Sequence, residues 1–242
     1  MRIHAAIEER MPPLRPAAPQ MAREMFAGIR ESPAPSGDDL GFAHCFLPPS
    51  GDTKVTLLLL QGTGGDENSL IDLGKLLTPG AALLSPRGNV PEGTSRRFFR
   101  RHAEGALDQE DLEFRTHEQA DFLHAAAQRP QFDIGKLFVA GFSNGANVAA
   151  SLLLRRPELV RGTILLSPML PFEPETLPAL SGMPVFIGAG KEDLLVPAES
   201  AQRLAEVLKE GGAGVTPHWE PGGHRIASAE LAAAADWLQQ QL

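Results

Sequence analysis

The sequence predicts an α/β protein with a doubly wound, mostly parallel sheet and helices on both of its faces. Continuous apolar runs such as KVTLLLLQG at 54–62 indicate strands that are buried on both sides. Segments with apolar residues at helical spacing, such as 111–127, lie between these runs. The two patterns alternate along most of the 242 residues, which is typical of a parallel sheet covered by helices.

The elements follow one another from residue 41 onward. The segment 41–49 predicts an early strand. Further strands are expected at 54–62, 81–86, 136–141, 162–168, 183–190 and 215–221. Helices are expected at 68–77, 111–127, 144–154, 197–209 and 227–242. Since ligands bind at the carboxyl ends of the strands in such sheets, candidate site residues are sought there.

The first 40 residues differ from the rest because they are rich in proline and have little hydrophobic periodicity. We expect 1–40 to be a tail or surface arm, with one short helix at 22–29. Translation starting at Met11 or Met21 is the alternative. Residues 41–242 are then expected to form one domain, with too little chain for a large inserted lid.

Composition excludes several classes of protein. The formal net charge of −8 disfavours nucleic acids and anionic membrane surfaces as partners. No apolar stretch of about 18 residues predicts a membrane span, and the N-terminus lacks the apolar core of a secretory signal. Cys45 is the one cysteine, so neither an internal disulfide nor a cysteine-based zinc site is expected. A reducing, cytoplasmic location is therefore predicted.

The motif G-x-S-x-G occurs at 141–145, between a predicted strand and a predicted helix. A serine hydroxyl that projects from so tight a turn needs small neighbours two residues away, and Gly141 and Gly145 supply them. The following helix points its N-terminal N–H groups at the same place and favours developing negative charge. The context predicts Ser143 as a nucleophile; the alternative is an ordinary helix-capping serine.

A glycine-rich loop, QGTGGDEN at 61–68, follows the buried strand 54–62. In folds with this kind of elbow, an oxyanion is bound by the N–H after the nucleophile and by one from such a loop. That assigns the backbone N–H groups of Thr63 and Asn144. A phosphate cradle at Gly64 and Gly65 is disfavoured because neither glycine spacing of nucleotide sites is present, and simple turn glycines are the other alternative.

An acid and a base follow the last two strands. Asp193 lies just past a strand end, and it can orient an imidazole and stabilise the imidazolium. Glu192 is its competitor, and a helix-capping role is the structural alternative. His224 follows Gly222 and Gly223 and precedes the final helix. The order serine, acid, histidine is the one expected for this fold, and the other six histidines are worse placed.

With these segments together, the chain resembles the phospholipase/carboxylesterase family of α/β-hydrolases, which includes acyl-protein thioesterases. The resemblance covers about 55–240, through QGTGGDE, LLSPRG, GFSNGA, GKEDLLVP and GGH. It is nearest to the bacterial carboxylesterases with GTGGDE and an RRFFRR segment. The family usually has histidine at the position of Gln61, where we expect a modest perturbation of the oxyanion loop. Dienelactone hydrolases are also similar, but their nucleophile is cysteine, and here the elbow holds Ser143.

The resemblance implies an α/β-hydrolase fold and hydrolysis of carboxylic esters of small soluble substrates, with no metal or organic cofactor; it leaves a homodimer open. The alternative within the enzymes is a thioesterase or lysophospholipase that acts on acyl-proteins or acyl-thioesters. A non-catalytic binding protein is disfavoured because the serine, acid and histidine are all present. A metal-dependent hydrolase is disfavoured because no H-E-x-x-H motif occurs.

Two segments are candidates for the substrate pocket. Leu170 and Phe172 follow a strand end, where they either line an acyl site or simply pack. Phe98 and Phe99 lie among four arginines in SRRFFRR at 95–101. That segment either contacts a substrate with an aromatic or anionic part, or its arginines pair with the acidic residues of 108–113.

Overall fold

The computed structural model describes residues 41–51, 53–129 and 132–242, and its central feature is a seven-stranded sheet. The strands of this part of the chain are β1 (His44–Leu47), β2 (Thr56–Leu60), β3 (Ala82–Pro86), β4 (Val90–Glu92), β5 (Ser95–Arg97), β6 (Arg101–Ala103), β7 (Ala106–Leu107), β8 (Leu137–Phe142), β9 (Gly162–Leu166), β10 (Pro184–Gly190) and β11 (Gly214–Glu220). The order in the large sheet is β1-β3-β2-β8-β9-β10-β11. All neighbours in it are parallel except β1, which is antiparallel to β3.

Helices cover both faces of this sheet. They are α1 (Ile71–Leu77), α2 (Gln109–Ala126), α3 (Asn144–Arg155), α4 (Ala198–Glu210) and α5 (Ser228–Gln239). Apolar residues of α2, α3 and α4 belong to one core cluster, and those of α1 and α5 belong to another. The sheet therefore has a core on each side, and the predicted doubly wound α/β class is confirmed.

The leucines of β2 show why a buried parallel strand has a continuous apolar sequence. Leu58 and Leu60 join the first core cluster, whereas Leu57 and Leu59 join the second. All four are fully buried. Because side chains alternate between the faces of a strand, both faces need apolar residues when both are covered. Each such leucine contributes roughly 1.5–3 kcal/mol by leaving water.

Hydrogen bonds accepted by aspartate side chains shift two helix boundaries from those expected. Helix α1 begins at Ile71 rather than at 68, because Asp66 Oδ1 holds a turn by accepting from the Asn68 N–H and from the Ser69 hydroxyl. Helix α2 begins at Gln109 rather than at 111, because the Asp108 carboxylate accepts the Asp111 N–H at 3.1 Å.

The segment after β3, for which no strands were predicted, forms two short hairpins. Strand β4 pairs with β5, and β6 pairs with β7, both antiparallel. The Glu92 carboxylate accepts hydrogen bonds from Arg97 and Arg101 and so links the two hairpins. Strands this short are held by such side-chain contacts and by packing rather than by an alternating pattern, which explains why the sequence did not reveal them.

The predicted arm at 1–40, with its short helix at 22–29, lies outside the described residues, and the domain boundary at 40 stays a prediction. Within the described ranges, no helix is long and apolar enough to cross a membrane. No large inserted domain interrupts the sheet there.

Candidate active site

Ser143 occupies a strained turn between β8 and α3. Its φ of 53° and ψ of −116° lie in a region that residues with a side chain rarely adopt. Such a conformation costs on the order of 1–3 kcal/mol and persists only where the surroundings impose it. Here the Ser143 N–H donates to Leu166 O of the neighbouring strand β9 at 2.9 Å. The turn therefore fixes the direction in which the hydroxyl projects.

The two glycines of the motif are required by backbone packing on either side of the turn. A Cβ on Gly145 would lie 1.9 Å from Leu60 O of β2, and a Cβ on Gly141 would lie 2.6 Å from Gly145 O. Both distances are far below van der Waals contact with backbone atoms that cannot rotate away. The elbow thus needs glycine at both positions because helix α3 starts in direct contact with the ends of β8 and β2.

Asp193 and His224 meet the serine at this edge of the sheet. His224 Nε2 lies 2.8 Å from Ser143 Oγ, and His224 Nδ1 lies 2.7 Å from Asp193 Oδ2. The other oxygen of Asp193 accepts the N–H groups of Leu195 and Val196 at 2.8 and 2.9 Å. Asp193 is buried, whereas its competitor Glu192 is exposed. The arrangement can pass a proton from the hydroxyl to the imidazole while the carboxylate holds the ring.

The loop that carries His224 is held by hydrogen bonds to its neighbour loop. The Lys191 N–H donates to Glu220 O at 2.8 Å, and the Glu192 N–H donates to Gly222 O at 3.1 Å. The ring of Phe142, from the elbow, lies 5.2 Å from the imidazole. Main-chain contacts between the ends of β10 and β11 therefore place the histidine over the serine.

Asn144 directly follows Ser143, and Thr63 follows Gly62, where a Cβ would lie 3.0 Å from the Phe142 ring of the elbow. Among the described residues, the structure records no hydrogen bond from the backbone N–H of Thr63 or of Asn144. The adjacent Gly64 N–H donates to Arg96 O at 2.9 Å, and the Gly65 N–H donates to Gly62 O at 3.1 Å. The loop is thus anchored just beyond Thr63.

Gln61, where the family usually has histidine, is buried beneath the oxyanion loop. With its amide oriented to satisfy both neighbours, Nε2 donates to Pro86 O at 2.9 Å and Oε1 accepts the Gly88 N–H at 2.8 Å. A Cβ on Gly65 would lie 2.7 Å from Gln61 Cγ, so the loop folds directly over this side chain. Glutamine therefore ties the loop to the residues that follow β3.

The pocket candidates differ in burial. Phe98 and Phe99 are 3% and 0% exposed and belong to the core, so neither ring is placed to line an open pocket. Leu170 and Phe172 are partly buried against the same core, and the Phe172 ring lies 4.2 Å from the Arg155 guanidinium carbon. These two remain candidates for the substrate side.

The arginines of SRRFFRR mostly pair with carboxylates. Arg97 and Arg101 contact Glu92, and Arg100 contacts Asp108 and Asp111. Pairing with the acidic stretch after residue 107, one of the two alternatives raised by the sequence, is therefore present for Arg100.

Metal and thiol chemistry have no assembled site in the part of the chain that is described. No group of three or more His, Cys, Asp or Glu side chains is placed to hold a metal ion there. Cys45 is a buried free cysteine on β1, and burial raises the pKa of its thiol.

Two polar side chains near the site were not singled out by the sequence. Asn147 Oδ1, one turn into α3, accepts the Met169 N–H at 2.8 Å beside Leu170. Glu230 is a buried carboxylate whose Oε2 accepts the Ala227 N–H at 3.2 Å, at the end of the His224 loop. The signal for Glu230 was its place in the first turn of a helix after Ala227, where no serine, threonine, aspartate or asparagine caps the helix.

The chain is similar to known hydrolases over most of its length. Residues 101–242 match the phospholipase/carboxylesterase family. MhqD of Bacillus subtilis (strain 168), named as a hydrolase, is 43% identical over 192 residues, which are 79% of this chain and 96% of MhqD. The Bacillus cereus carboxylesterase structure is 41% identical, with a TM-score of 0.81 and coverage of 83% of this chain and 95% of that one. The Mesorhizobium loti carboxylesterase structure is 31% identical, with a TM-score of 0.78 and coverage of 83% and 96%.

Proposed function

The chain belongs to the phospholipase/carboxylesterase family of hydrolases, and on that premise we propose that it cleaves carboxylic esters of small soluble substrates through an acyl-enzyme on Ser143. The observation that carries the proposal is the continuous contact from Ser143 Oγ through the His224 ring to Asp193, at 2.8 and 2.7 Å. Hydrogen bonds of this length join a nucleophile to a base and the base to the group that orients it.

In the first step, Ser143 Oγ attacks the ester carbonyl carbon while His224 Nε2 takes the hydroxyl proton. Asp193 stabilises the resulting imidazolium through Nδ1. The carbonyl oxygen becomes an oxyanion and accepts the N–H groups of Thr63 and Asn144, which have no recorded protein acceptor within the described ranges. The tetrahedral intermediate then collapses, and the alcohol leaves with the proton from His224.

The second step releases the acid by the same groups. Water attacks the acyl carbon, and His224 takes its proton as general base. The same two N–H groups bind the second oxyanion, and collapse returns the proton to Ser143 Oγ. Asp193 keeps the imidazole in one orientation throughout, because its second oxygen is already engaged by two backbone N–H groups.

The site lies at an open edge of the sheet, and this supports the proposal of small substrates. No inserted domain covers the elbow among the described residues, and Thr63 is exposed. We propose that residues 41–242 form the whole catalytic domain and that Leu170 and Phe172 contact the acyl part. A buried free thiol at Cys45 also supports location in a reducing compartment such as the cytoplasm.

A thioesterase or lysophospholipase is the second candidate, and one observation favours it. Leu194 is 97% exposed and Leu195 is 47% exposed, and both directly follow Asp193. Exposed leucines beside a site are suited to contact with a long acyl chain. This candidate uses the same chemistry, with a thiol or the glycerophospho-alcohol of a lysophospholipid as the leaving group.

A fluorophosphonate probe tests the nucleophile. We expect wild type to be labelled and Ser143→Ala to be unlabelled, with kcat for p-nitrophenyl acetate reduced on the order of 10³-fold or more. Ser167→Ala is a matched control, since Ser167 also has a positive φ, of 49°, and follows the neighbouring strand β9. Labelling that persists in Ser143→Ala and disappears in Ser167→Ala would reassign the nucleophile.

A substrate panel separates the two candidates. Hydrolysis of p-nitrophenyl esters from acetate to palmitate and of acyl-thioesters of matched chain length is compared by kcat/KM. Highest values for short oxygen esters support the carboxylesterase. Highest values for long acyl-thioesters, or for a lysophospholipid added to the same panel, support the second candidate instead.

A further inference from the structure

The two oxyanion donors belong to different loops, and three residues join them. We name this bridging segment by its residues, Arg96–Phe98, at the end of the first hairpin. At one side the Gly64 N–H, next to Thr63, donates to Arg96 O at 2.9 Å. At the other side the Phe98 N–H donates to Asn144 Oδ1 at 2.7 Å. Two hydrogen bonds and three residues therefore connect the oxyanion loop to the elbow.

From these contacts we propose that the Asn144 side chain is a positioning residue that sets the spacing of the two oxyanion donors through the bridging segment. The inference rests on the proposed function. Asn144 then has two separate roles. Its backbone N–H binds the oxyanion, and its side chain fixes the position of the loop that carries Thr63. Electrostatic stabilisation of this kind depends on donors that are already in place when charge develops.

The bridging segment is stiff enough to carry such a constraint. Arg97 is 4% exposed; its Nε donates to Phe99 O at 3.1 Å, and its Nη1 contacts Glu92 at 3.3 Å. From the far side, a Cβ on Gly88 would lie 2.3 Å from Arg97 O, so the chain after β3 packs directly on the segment. Motion of Arg96 relative to Phe98 is thereby restricted.

The polar environment of Asn144 also indicates a purpose other than stability. Asn144 is 2% exposed, and its Nδ2 is buried with no hydrogen-bond partner among the described residues. An unsatisfied buried donor is costly, and an apolar side chain would avoid that cost. The hydrogen bond that the Phe98 N–H donates to Asn144 Oδ1 gives a reason for an amide side chain at this position.

Replacing the Asn144 side chain tests this directly, because every substitution except proline keeps the backbone N–H of residue 144. Asn144→Leu keeps the branching of the side chain and replaces the acceptor oxygen by a methyl group. We expect kcat for p-nitrophenyl acetate to fall about 10- to 100-fold with KM changed less than about threefold, since a donor is displaced rather than lost. Inhibition by an aryl trifluoromethyl ketone, whose adduct places an oxyanion in the hole, should weaken by the same factor as kcat/KM.

Asn147→Leu is the matched control on the same helix. Asn147 is equally buried, and its Oδ1 also accepts a backbone N–H, that of Met169, at 2.8 Å. This variant should keep the inhibitor affinity and kcat within about threefold. A loss of the same size in both variants, with equally lowered melting temperatures, would mean that Asn144 is structural and would overturn the proposal.

Arg97→Met loosens the bridging segment without touching the elbow and serves if Asn144→Leu does not fold. It should lower kcat in the same direction, and combining it with Asn144→Ala should give less than the product of the two effects, as expected for contacts that act as a unit. Effects that multiply fully would overturn the proposal. Wild-type inhibitor affinity in Asn144→Leu would do so too, while activity in Ser143→Ala would separately overturn the proposed function.

Discussion

The proposed nucleophile, Ser143, and the proposed base, His224, are held in place by different means. Ser143 lies in a turn where nearby backbone leaves no room for a side chain at Gly145. A Cβ at Gly145 would lie 1.9 Å from Leu60 O. His224 lies in a loop held by backbone hydrogen bonds, where a Cβ at Gly223 would lie 3.3 Å from Glu192 O. A methyl group at Gly145 would require a large shift of backbone, whereas one at Gly223 would require a shift of only a few tenths of an ångström.

The proposed mechanism gives a reason for this difference. Oγ must keep one orientation towards the oxyanion donors, so steric exclusion and strain are suited to it. The imidazole must exchange a proton first with Ser143 and then with a leaving group, and small adjustments of its loop assist both transfers. The closer packing at Gly145 than at Gly223 can be tested by substitutions at these two positions.

The largest effect is expected from adding one methyl group on each side. Gly145→Ala should destabilise the protein by more than about 3 kcal/mol or prevent folding, because backbone must move to admit the Cβ. Gly223→Ala should cost less than about 1 kcal/mol and lower kcat only several-fold. Urea unfolding and esterase assays of both variants measure this. Comparable stability losses would contradict the contrast between the two loops.

A smaller effect, on rate alone, is expected at the acid. Asp193→Asn keeps an oxygen for the Leu195 and Val196 N–H groups, so the loop should stay folded. It removes the carboxylate that faces His224 Nδ1 at 2.7 Å, so kcat should fall on the order of 10³-fold. Asp193→Ala loses both functions and should also lower the melting temperature. An Asn variant with near wild-type kcat would show that Asp193 only caps its loop.

The sequence predicted the fold and the three residues Ser143, Asp193 and His224 better than the contacts that support them. Apolar runs such as that of β2 and the helical spacing of α2 depend on local pattern, and the α/β class is confirmed. Ser143, Asp193 and His224 could be named because each follows a strand end, and the structure places them within hydrogen-bond distance. Their catalytic roles remain a proposal.

The supporting contacts could not be predicted because they join residues distant in sequence through single atoms. The bond from Phe98 to Asn144 spans 46 residues and involves a backbone donor that no residue type signals. Phe98 and Phe99 were candidates for the pocket because they lie among arginines. Both rings are buried in the core directly after β5, and the sequence pattern does not show the pairing of β5 with β4.

Glu230 gives the base side a property that the elbow lacks. Its Oε2 accepts the Ala227 N–H, three residues after His224, and a Cβ on Gly188 of β10 would lie 2.0 Å from its Oε1. Burial raises the pKa of this carboxyl from 4.5 to about 7, with Glu220 adding to the rise and the Ala227 N–H and His218 opposing it. The elbow segment 141–149 contains no titratable side chain. Only the base side should therefore respond to pH near neutrality.

The smallest effect is a pH-dependent change in stability. Because the pKa of Glu230 is higher in the folded state, the stability it contributes is complete below about pH 4.5 and is lost as pH rises through 7. Glu230→Gln keeps the shape and removes the titration. Its free energy of unfolding relative to wild type should therefore rise by about 2–3 kcal/mol between pH 5 and pH 9. Urea unfolding at both pH values measures this, with Glu199→Gln, an exposed acid in the first turn of α4, as the unchanged control. A relative stability that is the same at both pH values would show that the buried carboxyl does not ionise in this range, and the two sides of the site would then differ in packing alone.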